Sequence, residues 1–301
     1  MWLLFAFSGP VLRAISTHID KYLVEKYFRH SSVAVLLVFT SLIGVVMLPF
    51  IGWYQPHVLD LSAASIAVIM ASGILSIGSM LFYLQALQTE EASAVAPWFQ
   101  AAPLFGYLLA YLFLGETLSA RQIAGYLIII AGAVLASLDP SFRFAKIKTR
   151  LMLLMLVCTF VLALSSVILK FFAIKNEFWS TTFWAYAGEA IFGAGLLSIP
   201  AYFRQFHELL RTNTGAILGV NASNELINLG GSLGVRYALL LAPLAIVQAI
   251  GSTTTLLVFL LGIVLTLLFP AFGREDMSPR NLVQKGASAI LIMIGVVLIN
   301  Q

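Results

Sequence analysis

The sequence predicts an all-α integral membrane protein, with ten transmembrane helices built as two inverted five-helix repeats around a central cavity. Three observations carry this. The chain is 60% hydrophobic and 10% charged, where a soluble domain carries about 25% charged residues. Apolar stretches long enough to cross a bilayer recur along all 301 residues, each needing about 20 residues as a helix. The second half also repeats features of the first in the same order.

Ten stretches can be drawn, over residues 2–24, 32–52, 62–88, 92–114, 119–138, 150–172, 179–202, 214–240, 243–269 and 282–300. The first is the least apolar, being interrupted by Pro10 and Arg13. Yet Arg13, Thr17, Asp20 and Val24 fall on one helical face, as suits a span lining a cavity. Stretch three carries Ser72, Ser76, Ser79 and Tyr83 at the same period. Stretch four carries Trp98, Gln100 and the pair Pro97 and Pro103. Prolines in a span free backbone carbonyls and often border transporter sites, although a plain structural kink fits them equally. Stretch six offers Thr159, Ser166 and Lys170, and stretch seven offers Thr182, Tyr186 and Glu189. Stretch nine offers Gln248, Ser252 and Thr255. Stretches five and ten lack such a stripe and are placed at the periphery.

The strongest stripe is in stretch eight. Asn221, Asn224, Glu225, Asn228 and Ser232 sit at i, i+3, i+4, i+7 and i+11, which is one face of a helix. Glu225 and Glu189 lie near mid-span, and a charge there costs a few kcal/mol or more. Such residues face a bundle interior or a wet cavity. Asn and Ser stripes also serve as glue between membrane helices, at about 1 kcal/mol or less each, and an acid is a poor choice for that.

Composition excludes several function classes. The longest connection, around Ser137–Arg150, has no room for a soluble domain, and no phosphate-binding loop pattern occurs. ATP-driven transport would therefore need a partner. Cys158 is the sole cysteine, which rules out an intrachain disulfide or a cysteine metal site, and the four histidines show no ligand spacing. No cofactor or metal is expected. The formal charge of +4 reflects Lys and Arg beside a membrane rather than nucleic-acid binding. The N-terminus lacks a basic leader, so no signal peptide is expected. Gly230-Gly-Ser-Leu-Gly234 matches a nucleophile-elbow pattern, but it falls inside a predicted helix, where that chemistry has no strand-to-helix turn. Gly230 and Gly234 read instead as a close helix approach.

The repeat runs through the chain. Ala14, Ser16, Lys21 and Tyr22 match Ala163, Ser165, Lys170 and Phe171 at an offset of 149. Gly115-Glu-Thr-Leu-Ser119 with Arg121 matches Arg274-Glu-Asp-Met-Ser278 with Arg280 at an offset of 159. Gly132 matches Gly295. Two repeats of five spans insert with opposite topology, the inverted arrangement of secondary transporters, with the site between the halves. The expected organisation is a first repeat over 1–138, a basic linker over 139–149, and a second repeat over 150–301.

The run Ala86-Leu…Ala92-Ser-Ala-Val-Ala-Pro…Pro103…Leu112-Phe-Leu-Gly-Glu-Thr-Leu-Ser…Gln122-Ile-Ala-Gly-Tyr…Gly132 resembles the EamA-type repeat of the drug/metabolite transporter superfamily. Ala238-Leu…Ala242-Pro…Val247-Gln…Glu275…Ser278…Gly295-Val resembles its second copy, with Phe-Gly-Arg-Glu-Asp in place of the tight Leu-Gly-Glu turn. The resemblance implies a cavity lined by helices 1–4 and 6–9, with 5 and 10 outside. The substrates it implies range from amino acids to nucleotide sugars and drugs.

The function this supports is secondary, non-ATP transport of a small polar metabolite, such as an amino acid or other zwitterion, by alternating access. Arg13 would hold a carboxylate or phosphate, being permanently charged with several donors. Trp98, Gln100, Tyr186, Asn221, Asn224, Asn228 and Gln248 would complete the binding site. Glu189 and Glu225 would couple to a proton or another ion, since a buried carboxylic acid suits that task. The alternative is an intramembrane enzyme or lipid-handling protein, with Ser232 its first candidate. Expected partners are the small-molecule substrate, the lipid bilayer and protons or another ion, with no nucleic acid, for a monomer or homodimer. The location is a cell (inner or plasma) membrane. Twelve Lys or Arg lie on the side of the loops after stretches 1, 3, 5, 7 and 9, against four opposite. The positive-inside rule then puts both termini outside the cytoplasm, whereas similar transporters have both inside.

Overall fold

The structure, a computed structural model, describes residues 2–26, 33–89, 96–137, 149–268 and 278–299. They form helices with no strand among them. In chain order these are α1 (Trp2–Lys26), α2 (Val33–Tyr54), α3 (Ala63–Thr89), α4 (Ala101–Leu114), α5 (Ala120–Ser137), α6 (Thr149–Lys175), α7 (Phe178–Leu197), α8 (Pro200–Leu241), α9 (Leu244–Gly251), α10 (Thr254–Leu268) and α11 (Pro279–Ile299). Two 3-10 turns, Pro56–Leu59 and Ala96–Gln100, precede α3 and α4. Helices follow from lipid itself, which leaves no other partner for backbone N–H and C=O groups.

Five helices are long and apolar enough to cross a membrane: Leu37–Tyr54, Ala63–Tyr83, Thr149–Lys175, Pro279–Ile299, and Leu244–Leu268, which joins α9 and α10. Shorter apolar helices cover Trp98–Leu114 and Ala120–Ala136. The chain is a multi-pass membrane protein.

Three features differ from the sequence expectation. The connection expected between residues 202 and 214 is helical, because α8 runs unbroken for 42 residues. At 1.5 Å per residue that is about 63 Å, roughly twice the hydrocarbon thickness. Its polar first part, with Arg204, His207, Glu208 and Arg211, therefore lies outside the hydrocarbon. Pro97 and Pro103 do not break a helix in its middle. Pro97 lies in the 3-10 turn and Pro103 in the first turn of α4, where a missing N–H costs nothing. Stretch nine is interrupted at Ser252 and Thr253, beside Ser252 Oγ and Thr254 Oγ1, which donate to the carbonyls of Ala249 and Gly251 at 2.6 and 2.7 Å.

Close backbone approaches set the packing. α1 lies on α8, where a Cβ on Gly9 would meet Val235 at 2.2 Å and one on Gly234 would meet Ser8 at 1.9 Å. The close approach read from Gly230 and Gly234 is thus made mainly by Gly231 and Gly234. α3 lies on α6, tied by Ser165 Oγ donating to the Ser72 carbonyl at 2.8 Å. α3 also lies on α7, where a Cβ on Gly73 or Gly188 would come within 2.0 Å of the other helix's carbonyls. α5 and α11 pack together through Gly125 and Gly295, each Cβ position being 2.7 Å from the other's carbonyl oxygen. α2 packs on α7, and α4 on α6 and α9. The largest apolar core joins the two halves, with Ile69, Leu109 and Ile129 against Val167, Leu244 and Ile250.

Candidate functional site

The buried charged side chains fall into three groups, each joining elements distant in sequence. In the first, Arg236 Nη2 of α8 donates to Glu189 Oε1 of α7 at 2.7 Å. Arg236 is 9% exposed and Glu189 6%. The guanidinium lies over the Tyr186 ring at 4.5 Å, and the Tyr186 hydroxyl lies beside Ser232. Thr182, Tyr186 and Glu189 share a face of α7 by their spacing, and all three are buried. Toward the 3-10 turn Pro56–Leu59, the pair is covered by apolar side chains, with Tyr186 packed among Ile51, Val58, Trp179, Phe183 and Leu233. Trp184 Nε1 donates to the Val58 carbonyl at 2.6 Å and holds that turn on α7.

The second group lies about 16 Å along α8 from the first, eleven residues at 1.5 Å each. Thr40 Oγ1 of α2 donates to Glu225 Oε1 at 3.1 Å. Asn221 and Asn224 are buried beside it, and Asn228 is half-buried. The stripe read from the sequence is therefore turned into the bundle.

In the third, Lys170 Nζ near the end of α6 lies 2.5 Å from Glu116 Oε1, in the turn after α4. Lys170 also donates to the Ala242 carbonyl at 2.6 Å, and Glu116 Oε2 accepts from the Leu244 N–H at 2.8 Å. The two charges thus cap the end of α8 and the start of α9, cation on the carbonyl end and anion on the N–H end, in accord with the helix dipoles.

The remaining sequence candidates scatter. Arg13 is exposed on α1, whereas Arg236 is buried against Glu189. Trp98 is half-buried against a cluster of Ala86, Leu151 and Met155. Gln100 is buried at the start of α4. Gln248 of α9 abuts Gly106 of α4. Most hydroxyls in the expected stripes are used locally: Ser72, Ser79, Thr159 and Ser166 bond carbonyls three or four residues earlier. Ser232 sits within the continuous α8, so no strand-to-helix elbow surrounds it. Asp20 and Lys21 lie outside the residues whose side chains are described.

Two functional candidates were missed in the sequence. Arg236 follows Ser232 by one turn and extends the same stripe, but reads as a charge at a span end. Glu116 reads as part of a turn motif, and only the fold brings Lys170 to it.

Residues 1–138 match the model of the EamA-like transporter family. Over that first part this bears out the resemblance to EamA-type transporters of the drug/metabolite transporter superfamily, a family of membrane transporters. A solved structure described only as "Crystal structure of protein" superposes with a TM-score of 0.69 at 17% identity, covering 99% of this chain and 94% of that one. At that identity the likeness is one of fold. No curated protein matches the sequence.

Proposed function

We propose that this protein is a secondary transporter that moves a small polar metabolite across a cell membrane by alternating access. The observation that carries the reading is the Glu189–Arg236 pair, two charges buried between α7 and α8 of a membrane bundle. Buried ion pairs are weak as stabilisers, and intramembrane charges mark substrate and ion pathways.

The packing supports an inverted repeat of ten spans, counting α9 with α10 as the ninth and α11 as the tenth. Exchanging spans 1 to 5 with 6 to 10 maps the pairing of α1 with α8 onto that of α6 with α3. It maps α1 with α9 and α10 onto α6 with α4, and α2–α7, α4–α9 and α5–α11 onto themselves. One pair departs: α3 lies close along α7, while its counterpart α8 meets α2 at fewer places. Alternating access between inverted repeats works through such a difference, one seam closed while its equivalent loosens. Glu225 and Thr40 sit in the looser seam, which makes Glu225 the candidate for coupling to a proton or another ion.

The test is thermal unfolding of the purified protein with amino acids, nucleotide sugars, phosphorylated sugars and cationic drugs, followed by uptake of the hits into proteoliposomes. A ligand of the native state raises stability by about 2.7 kcal/mol at a hundredfold excess over its Kd. A shift from one class, with uptake of that class and no need for ATP, is expected. No shift and no uptake from any class would overturn the reading.

A further inference from the structure

We propose that Arg236 is the anchor for a carboxylate group on the transported substrate, and that Glu189 is the internal carboxylate which that group displaces. This rests on the transporter reading above and names the chemical group that the reading leaves open.

The guanidinium is a planar fork that binds a carboxylate best through two parallel N–H donors. Glu189 takes one of them, at Nη2. Arg236 Nη1 is buried and has no hydrogen-bond partner among the described residues. A charged donor left unpaired in a nonpolar interior is costly and calls for an explanation. A substrate carboxylate seated end-on would occupy both Nη1 and Nη2. The Tyr186 ring beneath the guanidinium fixes its plane. Thr182, one turn away on the same face of α7, adds a buried hydroxyl without a partner among the described residues.

A purely structural pair would be expected to tie two helices tightly. Here the α7 and α8 backbones approach each other at few places, so the pair is not set by a close helix seam. The charge also balances. Displaced Glu189 would be an uncompensated buried charge, which is strongly unfavourable. It is neutralised by an ammonium on the substrate, where there is one, or by one proton taken from water. Arg236 keeps its charge throughout.

The experiment uses three sets of probes built on alanine, leucine and phenylalanine: the amino acid, its amide, and the deaminated acid. Unfolding temperatures are measured on the full chain in nanodiscs. Amino acids or deaminated acids should stabilise the wild type and amides should not. Glu189→Gln removes the competitor and should tighten acid binding about tenfold or more, the scale of one charge-assisted hydrogen bond. Arg236→Gln should abolish the response. If that variant does not fold, Arg236→Lys keeps the charge without the fork and should lose most of it. Amides acting as well as acids, or acid binding unchanged in Glu189→Gln, would overturn the proposal. If nucleotide sugars or cationic drugs are taken up while no acid binds, the transporter reading stands and the carboxylate anchor falls. If nothing in either panel binds or is carried, both fail.

Discussion

Lys170 and Glu116 show how much one residue pair can bear. They are 4% and 18% exposed at the side chain, and together they satisfy the backbone on both sides of Pro243. Removing one partner strands the other charge, at about 3–5 kcal/mol. Lys170→Met should therefore lower thermal stability sharply, and Glu116→Gln should do so by a similar route. The double variant should cost less than the sum, because neither charge is then left alone. Full additivity in a double-mutant cycle would show that the pair is not coupled. A second prediction concerns Glu225. Glu225→Gln keeps the shape and an acceptor for Thr40, so uptake should persist while its dependence on pH is lost. Uptake with the wild-type pH dependence would end the coupling role. Residue-level legibility was uneven for a physical reason. Glu225 and Glu189 stand out because lipid penalises acids at mid-span, and local spacing shows it. The partners of Lys170 and Glu189 come from parts of the chain distant in sequence, and no local spacing encodes those. The Ser and Thr stripes mislead because a hydroxyl in a helix can bond its own carbonyls.

At the scale of elements, close helix seams rather than polar stripes set the arrangement. Gly73 and Gly188 let α3 and α7 approach until a Cβ would lie 2.0 Å from a backbone carbonyl. Backbone cannot yield as a side-chain tip can, so Gly188→Leu must force the helices apart. Overpacking of this kind costs about 1–3 kcal/mol or more, and it should also impair uptake by opening the α3–α7 seam. Gly195 of the same helix has nothing within 4 Å of its Cβ position, so Gly195→Ala should leave unfolding temperature and uptake within about 1 kcal/mol of wild type. If both variants behave alike, the seam is not what matters. The apolar runs made the helices legible, since lipid allows little else. The ends were less so. Pro97 and Pro103 read as a break because sequence spacing cannot say that one precedes the helix and the other sits in its first turn. Residues 203–213 read as a connection because they are polar, yet a helix that leaves the membrane can continue unbroken through water.

At the scale of the whole molecule, the proposed inverted repeat does not itself set orientation, because it would present similar surfaces to both sides; charge must decide. The twelve-to-four count of Lys and Arg included Lys170 and Arg236 on the minority side, and both are buried in ion pairs within the bundle. They are not membrane-surface charges and drop out, which leaves Arg121 and Lys175 against twelve. The majority side also carries the polar first part of α8, where Arg204 and Arg211 are exposed. The positive-inside rule acts on charges flanking the spans, so the correction strengthens the placement of both termini outside the cytoplasm, against the expectation from similar transporters. Cys158 is the sole cysteine and fully buried, so an introduced cysteine can be read with little background. Arg121→Cys and Arg211→Cys both replace exposed residues, which the proposed ten-span topology puts on opposite sides of the membrane. In intact cells a membrane-impermeant maleimide should label position 121 and spare 211, and permeabilising the cells should expose 211. The reverse pattern would put both termini in the cytoplasm, and would mean that the charges beside these spans are outweighed by some other feature of insertion. Labelling of both positions in intact cells would mean that the chain inserts in both orientations.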